Sequence, residues 1–425
     1  MNMGKNIKIF SEDPISMDEI TENLNHQEEK KLVSKALEKS LESIGSLPSD
    51  NSKALVLREI TDMFLDSGFL YLGKRLGEKT LDSASDIKIK PEKAKTLSGI
   101  ASTFAEYDFD EVADKIFKKA LKEAEKIEEE REKVEVFIYI IEEQLDKDLK
   151  GRAQENIDKV LSKALNLAER DRGIIPLAMV AETMAKLDKK RVEELCQRVL
   201  EYIRDEKPED DWRIVVTLVA KAFSKIGRYK RSMELAEELT SENGSDIHLL
   251  EIGTSFSNEG QIERALEIRD HMNNRELKDP LTGQIAEDLI LDGLLEKALR
   301  LKEDLKDEFE RDLLLKNLVC HYGTDDRERA RKYLNQIRSE EMKALAYIEL
   351  ANSYLKEKNN YHKAKEFSLK AKEMIVDSES ESVKVELIET LVDVELKDQA
   401  YELADQIATS EERAIAFGSI AAHTC

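Results

Sequence analysis

Three glycines, Gly227, Gly260 and Gly293, recur 33 residues apart, and each sits in the same local frame. Ahead of them stand Val219-Ala220, Ile252-Gly253 and Ile285-Ala286, then Phe223, Phe256 and Leu289. Behind them come an apolar residue (Tyr229, Ile262, Leu295) and a small one (Ser232, Ala265, Ala298). A period of this length with one chain-reversing glycine per copy restricts the fold to a stack of like units. Apolar positions three and four apart on both sides of the glycine predict helix, tight turn, helix. The small residue lets the two helices approach closely.

The frame continues in both directions. Ile100, Ala101, Phe104, Asp108, Ala113, Phe117 and Ala120 fit it, as do Leu350, Ala351, Tyr354, Tyr361, Ala364 and Ala371 with one extra turn residue. The small position runs through Gly73, Ala113, Ala153, Glu193, Ser232, Ala265, Ala298, Ala330, Ala364 and Ala400. The repeats before Ser232 are therefore longer, by about two helical turns per hairpin. Proline belongs before a helix or in its first turn; Pro48, Pro91, Pro176, Pro208 and Pro280 all stand where a first helix is predicted to open. A composition of 37% charged and 6% aromatic residues, with six prolines, agrees with helices rather than strands.

Apolar-small-x-x-aromatic, then Gly, then apolar and small residues, resembles the tetratricopeptide repeat family, from about Ala54 onward. The family's Trp and closing Pro are absent, and the longer N-terminal repeats depart from its usual length. Related armadillo-like and pentatricopeptide-like arrays fit as well. The expected fold is all-α: an α-solenoid, a right-handed superhelix of about ten stacked hairpins. Residues 1–25 are expected to be a flexible arm and 26–425 the repeats, longer over about 54–210 and shorter over about 211–410. The segment 411–425 is expected to be an unpaired terminal helix.

GFLYLGKR, from Gly68, comes within one residue of the GxxxxGK[ST] phosphate loop. Such a loop should follow a strand and place a hydroxyl after its Lys. Here a helical pattern precedes it, FLYL is bulky, and Arg75 occupies the hydroxyl position. In the repeat frame Gly68 is the turn and Gly73 the close-packing residue. Cys320-His321 and His423-x-Cys425 are too far apart for a metal site, and Cys196 and Cys320 fall near the packed stripe as small buried thiols. No catalytic residue, cofactor or metal is expected.

The function expected is therefore a non-catalytic protein–protein interaction scaffold, binding a partner segment in the groove that the family resemblance implies along the first helices. Two other classes stay open: an all-helical enzyme and an RNA-binding helical-repeat protein. The groove positions implied by the resemblance are Asp62 and Asp66, Ser102 and Glu106, Glu142 and Asp146, Glu182 and Lys186, Lys221 and Lys225, and Thr254 and Asn258. Each pair shares one helix face. Six of the first eight are acidic, so a basic protein or peptide partner is expected. A net charge of -23 disfavours nucleic acid and anionic membranes. Without an apolar stretch of signal-peptide or membrane-spanning length, the chain is expected in the cytoplasm. Ile415, Phe417 and Ile420 on the last helix form an apolar face expected to take a second copy or the partner.

Overall fold

The computed structural model describes residues 27–171, 174–206, 212–240, 244–323, 325–356, 360–375 and 378–424. The predicted arm, Pro208 and Cys425 lie outside the described residues. Among the described residues there are 22 helices and no strand. Among the described residues, no helix is long and apolar enough to cross a membrane. The chain divides into two units, one of residues 1–119 and 361–425, the other of 120–360.

The first unit holds α1 (Gln27–Gly45), α2 (Asp50–Asp66), α3 (Leu70–Asp86), α4 (Lys90–Glu106) and most of α5 (Asp110–Ala124), with α19 (Tyr361–Ile375), α20 (Glu381–Asp393), α21 (Lys397–Asp405) and α22 (Ser410–Thr424). The second holds α6 (Glu130–Asp146), α7 (Lys150–Asp171), α8 (Ile174–Met184), α9 (Lys189–Glu206), α10 (Trp212–Lys225), α11 (Tyr229–Thr240), α12 (Asp246–Asn258) and α13 (Ile262–His271). It continues through α14 (Arg275–Leu291), α15 (Leu295–Leu301), α16 (Glu308–Tyr322), α17 (Arg327–Leu334) and α18 (Glu340–Lys356). Within it each first helix from α6 to α16 packs on its own second helix and on the first helix of the next hairpin.

The turns explain the glycine ladder. Gly68, Gly227, Gly260 and Gly293 have φ of 83°, 82°, 67° and 73°, the left-handed region that glycine enters freely. In each turn the next amide donates to the carbonyl at the large apolar position: Phe69 to Phe64 (2.9 Å), Arg228 to Phe223 (2.8 Å), Gln261 to Phe256 (2.8 Å) and Leu294 to Leu289 (2.7 Å). This is the helix-ending pattern that satisfies orphan carbonyls. Asp108, Asp148 and Glu395 adopt the same conformation without glycine, and Phe109, Leu149 and Leu396 donate to Phe104, Gln144 and Leu391 in the same way.

The GFLYLGKR segment is thus a helical hairpin. Gly68 ends α2, a Cβ on Gly73 would lie 2.5 Å from Leu65 Cδ2, and Arg75 is buried and paired with Glu78 at 2.5 Å. Two register expectations need correcting. The packing residue of α9 is Val192, fully buried, whereas Glu193 faces outward and grips Arg228 through two hydrogen bonds of 2.8 and 2.9 Å. Pro280 lies inside α14, past its first turn.

The last helix is not unpaired. α22 packs against α20 and α2, and its second helix is supplied by α1 from the other end of the chain. Ser40 Oγ donates to Ala414 O at 2.7 Å in the buried seam, Lys39 pairs with Asp405, and Ser46 donates to Ser410 at 2.8 Å. Lys35 and Lys39 also stand over the Tyr401 ring, at 4.3 and 4.6 Å. Gly418 is required here, since a Cβ would meet Ile60 of α2 at 2.7 Å. Ile415, Phe417 and Ile420 are consequently buried. The apolar face expected to await a second copy is covered within the chain, because a half-hairpin finds its complement in α1.

Candidate functional site

Four first helices of the second unit, α6, α8, α10 and α12, carry Glu142, Asp146, Glu182, Lys221, Lys225, Thr254 and Asn258, and Lys186 follows α8 directly. The structure links these positions. Thr183 Oγ1 donates to Glu142 at 3.0 Å, and Lys186 pairs with Asp146 at 2.8 Å. Glu182 accepts from both Lys225 (2.8 Å) and Lys221 (3.1 Å), and Lys221 also reaches Glu251 on α12 at 3.3 Å.

The expected acidic stripe is, in this unit, a ladder of compensated charges. Glu182 is only 13% exposed and is held between two ammonium groups. Burial works against the charge on Lys221, but Glu182 and Glu251 outweigh it and raise its pKa. Glu142 is also raised, but against its charge: burial raises its carboxyl, Glu182 and Asp146 add to the rise, and the Thr183 hydroxyl and Lys225 oppose it.

Between α8, α10 and α12 this face opens into a cavity of about 330 Å³, bordered by Glu182, Lys221, Lys225, Glu251, Thr254 and Asn258, with Leu250 and Ser255 in its wall. Ser255 is 5% exposed and its Oγ has no hydrogen-bond partner. The i,i+4 spacing read from the sequence brought Lys221 with Lys225 and Thr254 with Asn258 to this cavity. It missed Glu251 and Ser255, which share the cavity-facing side of α12 with Thr254 and Asn258. A second cavity, of about 470 Å³, lies beside α13 and α14, where Arg269 is tied to Asp270 (2.7 Å) and Asp304 (3.3 Å).

In the first unit Asp62 and Asp66 lie on α2, and Ser102 and Glu106 on α4. Ser102 is buried and cannot act as a surface contact; its small side chain belongs to the helix packing. Tyr107 Oη donates to the Asp62 carbonyl at 3.4 Å, and burial together with Asp62, Asp66 and Glu106 pushes its hydroxyl pKa up. Nearby carboxylates repel one another. Burial, then Glu411, Asp62 and Glu412, raise the Glu59 carboxyl against the lowering effect of Arg58. Burial, then Asp393, Glu386 and Glu59, raise Glu389 against His423. His423 bonds Asp393 at 2.9 Å, and that bond, with Glu389 and Asp66, raises the imidazole pKa despite burial.

Another set of acids went unread in the sequence. Asp246, Asp279 and Asp312 are 33 residues apart, and each accepts from the two backbone amides that lead into the next hairpin's first helix. Asp279 Oδ2 takes Lys306 N (2.9 Å) and Asp307 N (2.6 Å), and Asp312 Oδ2 takes Arg338 N (3.0 Å) and Ser339 N (2.8 Å). Asp246 does the same for Asn273 and Asn274, and Glu381 for Ala408 (2.6 Å) and Thr409 (3.2 Å). These carboxylates fasten one hairpin to the next.

The two described thiols, Cys196 and Cys320, are held toward their neutral form. Burial pushes the Cys196 thiol up to about 12, and burial with Glu349 pushes Cys320 up as well. Lys316 is paired with Glu349.

No protein-family model and no curated protein matches the chain. Among solved structures, Ton1535 from Thermococcus onnurineus NA1 aligns over 76% of this chain and 98% of its own at 16% identity, with a TM-score of 0.34.

Proposed function

We propose that the protein is a non-catalytic interaction scaffold of tetratricopeptide-like hairpins, working in the cytoplasm and binding a segment of a protein partner along the first-helix face of its second unit. The observation that carries this reading is the open cavity between α8, α10 and α12, on a face whose side chains are already positioned by the Glu182–Lys221–Lys225–Glu251 network. Side chains held before binding lose little freedom on binding, so modest contacts repeated along stacked helices can add up to useful affinity. The carboxylates of the first unit, with their raised values at Glu59 and Glu389, favour basic residues in whatever part of a partner approaches that unit.

The test is a displayed library of random 12-residue peptides selected on the full chain, followed by affinity measurement for the wild type and for Thr254→Arg/Asn258→Arg. That double variant fills the cavity and brings two guanidinium groups against Glu182 and Glu251, so it blocks this face by bulk and by charge. A loss of tenfold or more is expected. Selected peptides that bind the variant as well as the wild type would exclude this face.

A further inference from the structure

We infer that the cavity between α8, α10 and α12 is a subsite for an uncharged amide, the side chain of a Gln or Asn in the bound segment together with its flanking peptide units. This rests on the scaffold reading and specifies what its site recognises.

Charge balance is the first argument. Lys225 is satisfied by Glu182 at 2.8 Å, and Lys221 lies between Glu182 at 3.1 Å and Glu251 at 3.3 Å. A ligand carboxylate could use the remaining N–H donors of Lys221 and Lys225 only by standing beside Glu182 and Glu251, whose like charge opposes it, or by displacing Glu182, which is 13% exposed and would be left poorly solvated. A ligand ammonium or guanidinium could meet the exposed Glu259 at little gain, and any closer approach would have to draw Glu182 or Glu251 away from Lys221. Breaking a partly buried pair from either side is costly because the abandoned partner keeps its desolvation penalty.

The unused hydrogen-bonding capacity is the second. Thr254, Ser255 and Asn258 line the cavity from α12. The Ser255 hydroxyl is buried and makes no hydrogen bond. A hydroxyl left this way costs free energy that a ligand group can recover. Hydroxyls both donate and accept, and the Asn258 side chain does so through separate atoms. An amide offers the complementary pair, a carbonyl and an N–H, with no net charge. Leu250 in the same wall provides apolar contact for the methylenes of a Gln side chain.

Size is the third. About 330 Å³ lies at the lower limit of small-molecule pockets, enough for one side chain and its adjoining peptide groups. A site of this kind discriminates by leaving its polar groups unpaired when the wrong ligand enters.

Peptides from the selection described above provide the probe, resynthesised with acetylated and amidated ends so that only side-chain charge varies. One position should be enriched in Gln or Asn, and changing that residue to Glu or to Lys should each weaken binding tenfold or more. Ser255→Ala and Asn258→Leu should weaken the Gln peptide, and the Gln-over-Glu preference should shrink in Asn258→Leu. Affinity for the Gln peptide should change little between 50 and 500 mM salt, because no new ion pair forms. Enrichment of acidic or of basic residues at that position would overturn the inference, as would Gln peptides indifferent to both substitutions. Peptides that bind elsewhere on the first helices would overturn the subsite and leave the scaffold reading standing. Recovery of no binding peptide would count against both. Circular dichroism and sedimentation of each variant identify any that fails to fold, and Thr254→Arg then supplies an independent block of the cavity.

Discussion

Replacing Asp312 should unfasten one hairpin from the next. Asp312 is 1% exposed, and its Oδ2 alone accepts the amides of Arg338 and Ser339 at 3.0 and 2.8 Å. Ser339 caps α18, and the first helical bond runs from Lys343 N to Ser339 O at 3.0 Å. Each hydrogen bond to a charged acceptor contributes about 1.5–3 kcal/mol, so two sum to roughly 3–6 kcal/mol before water replaces any of it. Arg338 is exposed and Ser339 half-buried, so solvent recovers part of that loss. Asp312→Ala should therefore cost about 3 kcal/mol. Asp312→Asn retains an oxygen at the same place but accepts as a neutral group, roughly half as strongly, and should cost about 1–2 kcal/mol.

A long repeat array need not unfold in one step, so the primary assay is local. Hydrogen exchange by mass spectrometry of the peptide spanning 338–345 should accelerate about a hundredfold in Asp312→Ala, because each 1.4 kcal/mol is a factor of ten. Exchange within threefold of the wild type would refute the fastening role. Equal effects of Ala and Asn would refute the part assigned to charge.

Glu395→Gly should stabilise the protein by about 0.5–1 kcal/mol, since Glu395 holds φ at 62° where glycine is unstrained; a lowered urea midpoint would contradict this. Cutting an engineered protease site in the 46–49 linker should leave α1 bound in gel filtration, because Val33, Leu37, Ile44 and Leu47 are buried and contribute about 1.5–3 kcal/mol each, whereas Leu37→Asp should release it. The first unit should gain stability on mild acidification. The raised His423 value means that its charged form favours the folded state, a contribution complete below the unfolded value near 6.5 and lost as pH rises through the folded one. The raised Glu59 and Glu389 values act in the same direction, since protonation relieves their repulsion. Tm should rise from pH 8 toward about 6 in the wild type and rise less in His423→Gln, and parallel profiles would exclude the histidine. Asp66→Lys should weaken binding of basic selected peptides at low salt without changing helicity, since Asp66 is exposed and exposed charges matter more to association than to stability.

Much of this fold was legible because one local requirement repeats. A left-handed turn residue leaves a glycine, and two helices in contact leave a small residue, so Gly68, Gly227, Gly260 and Gly293 announced their turns. Where the requirement is met differently the signal faded. Asp148 and Glu395 adopt the glycine conformation without being glycine, and Val192 packs where a small residue was sought, shifting the register by one onto Glu193. The candidate face was half legible for the same reason. Helix spacing placed Thr254 and Asn258 side by side, but the pairing of Glu182 with Lys221 and Lys225 depends on neighbouring hairpins, about forty residues away in sequence.

The acids show why composition misleads at this scale. A net charge of -23 reads as a repulsive surface, yet some carboxylates, Asp279 and Asp312 among them, are spent on backbone amides, and Glu182 is neutralised by lysines. What distinguishes them in the sequence is phase. An acid recurring at the array's own 33-residue period, as Asp246, Asp279 and Asp312 do, must meet the same neighbours in each copy, and in a stack the invariant neighbours are the preceding and following hairpins. The same reasoning applies to α22. A first helix at the array's end has one face that only a second helix can cover, and α1 enters the fold with no second helix following it in its own hairpin. Two incomplete halves at opposite ends of the chain thus satisfy each other, which is why the most apolar stretch near the C-terminus, Ala414 to Ala422, is buried rather than presented to a partner.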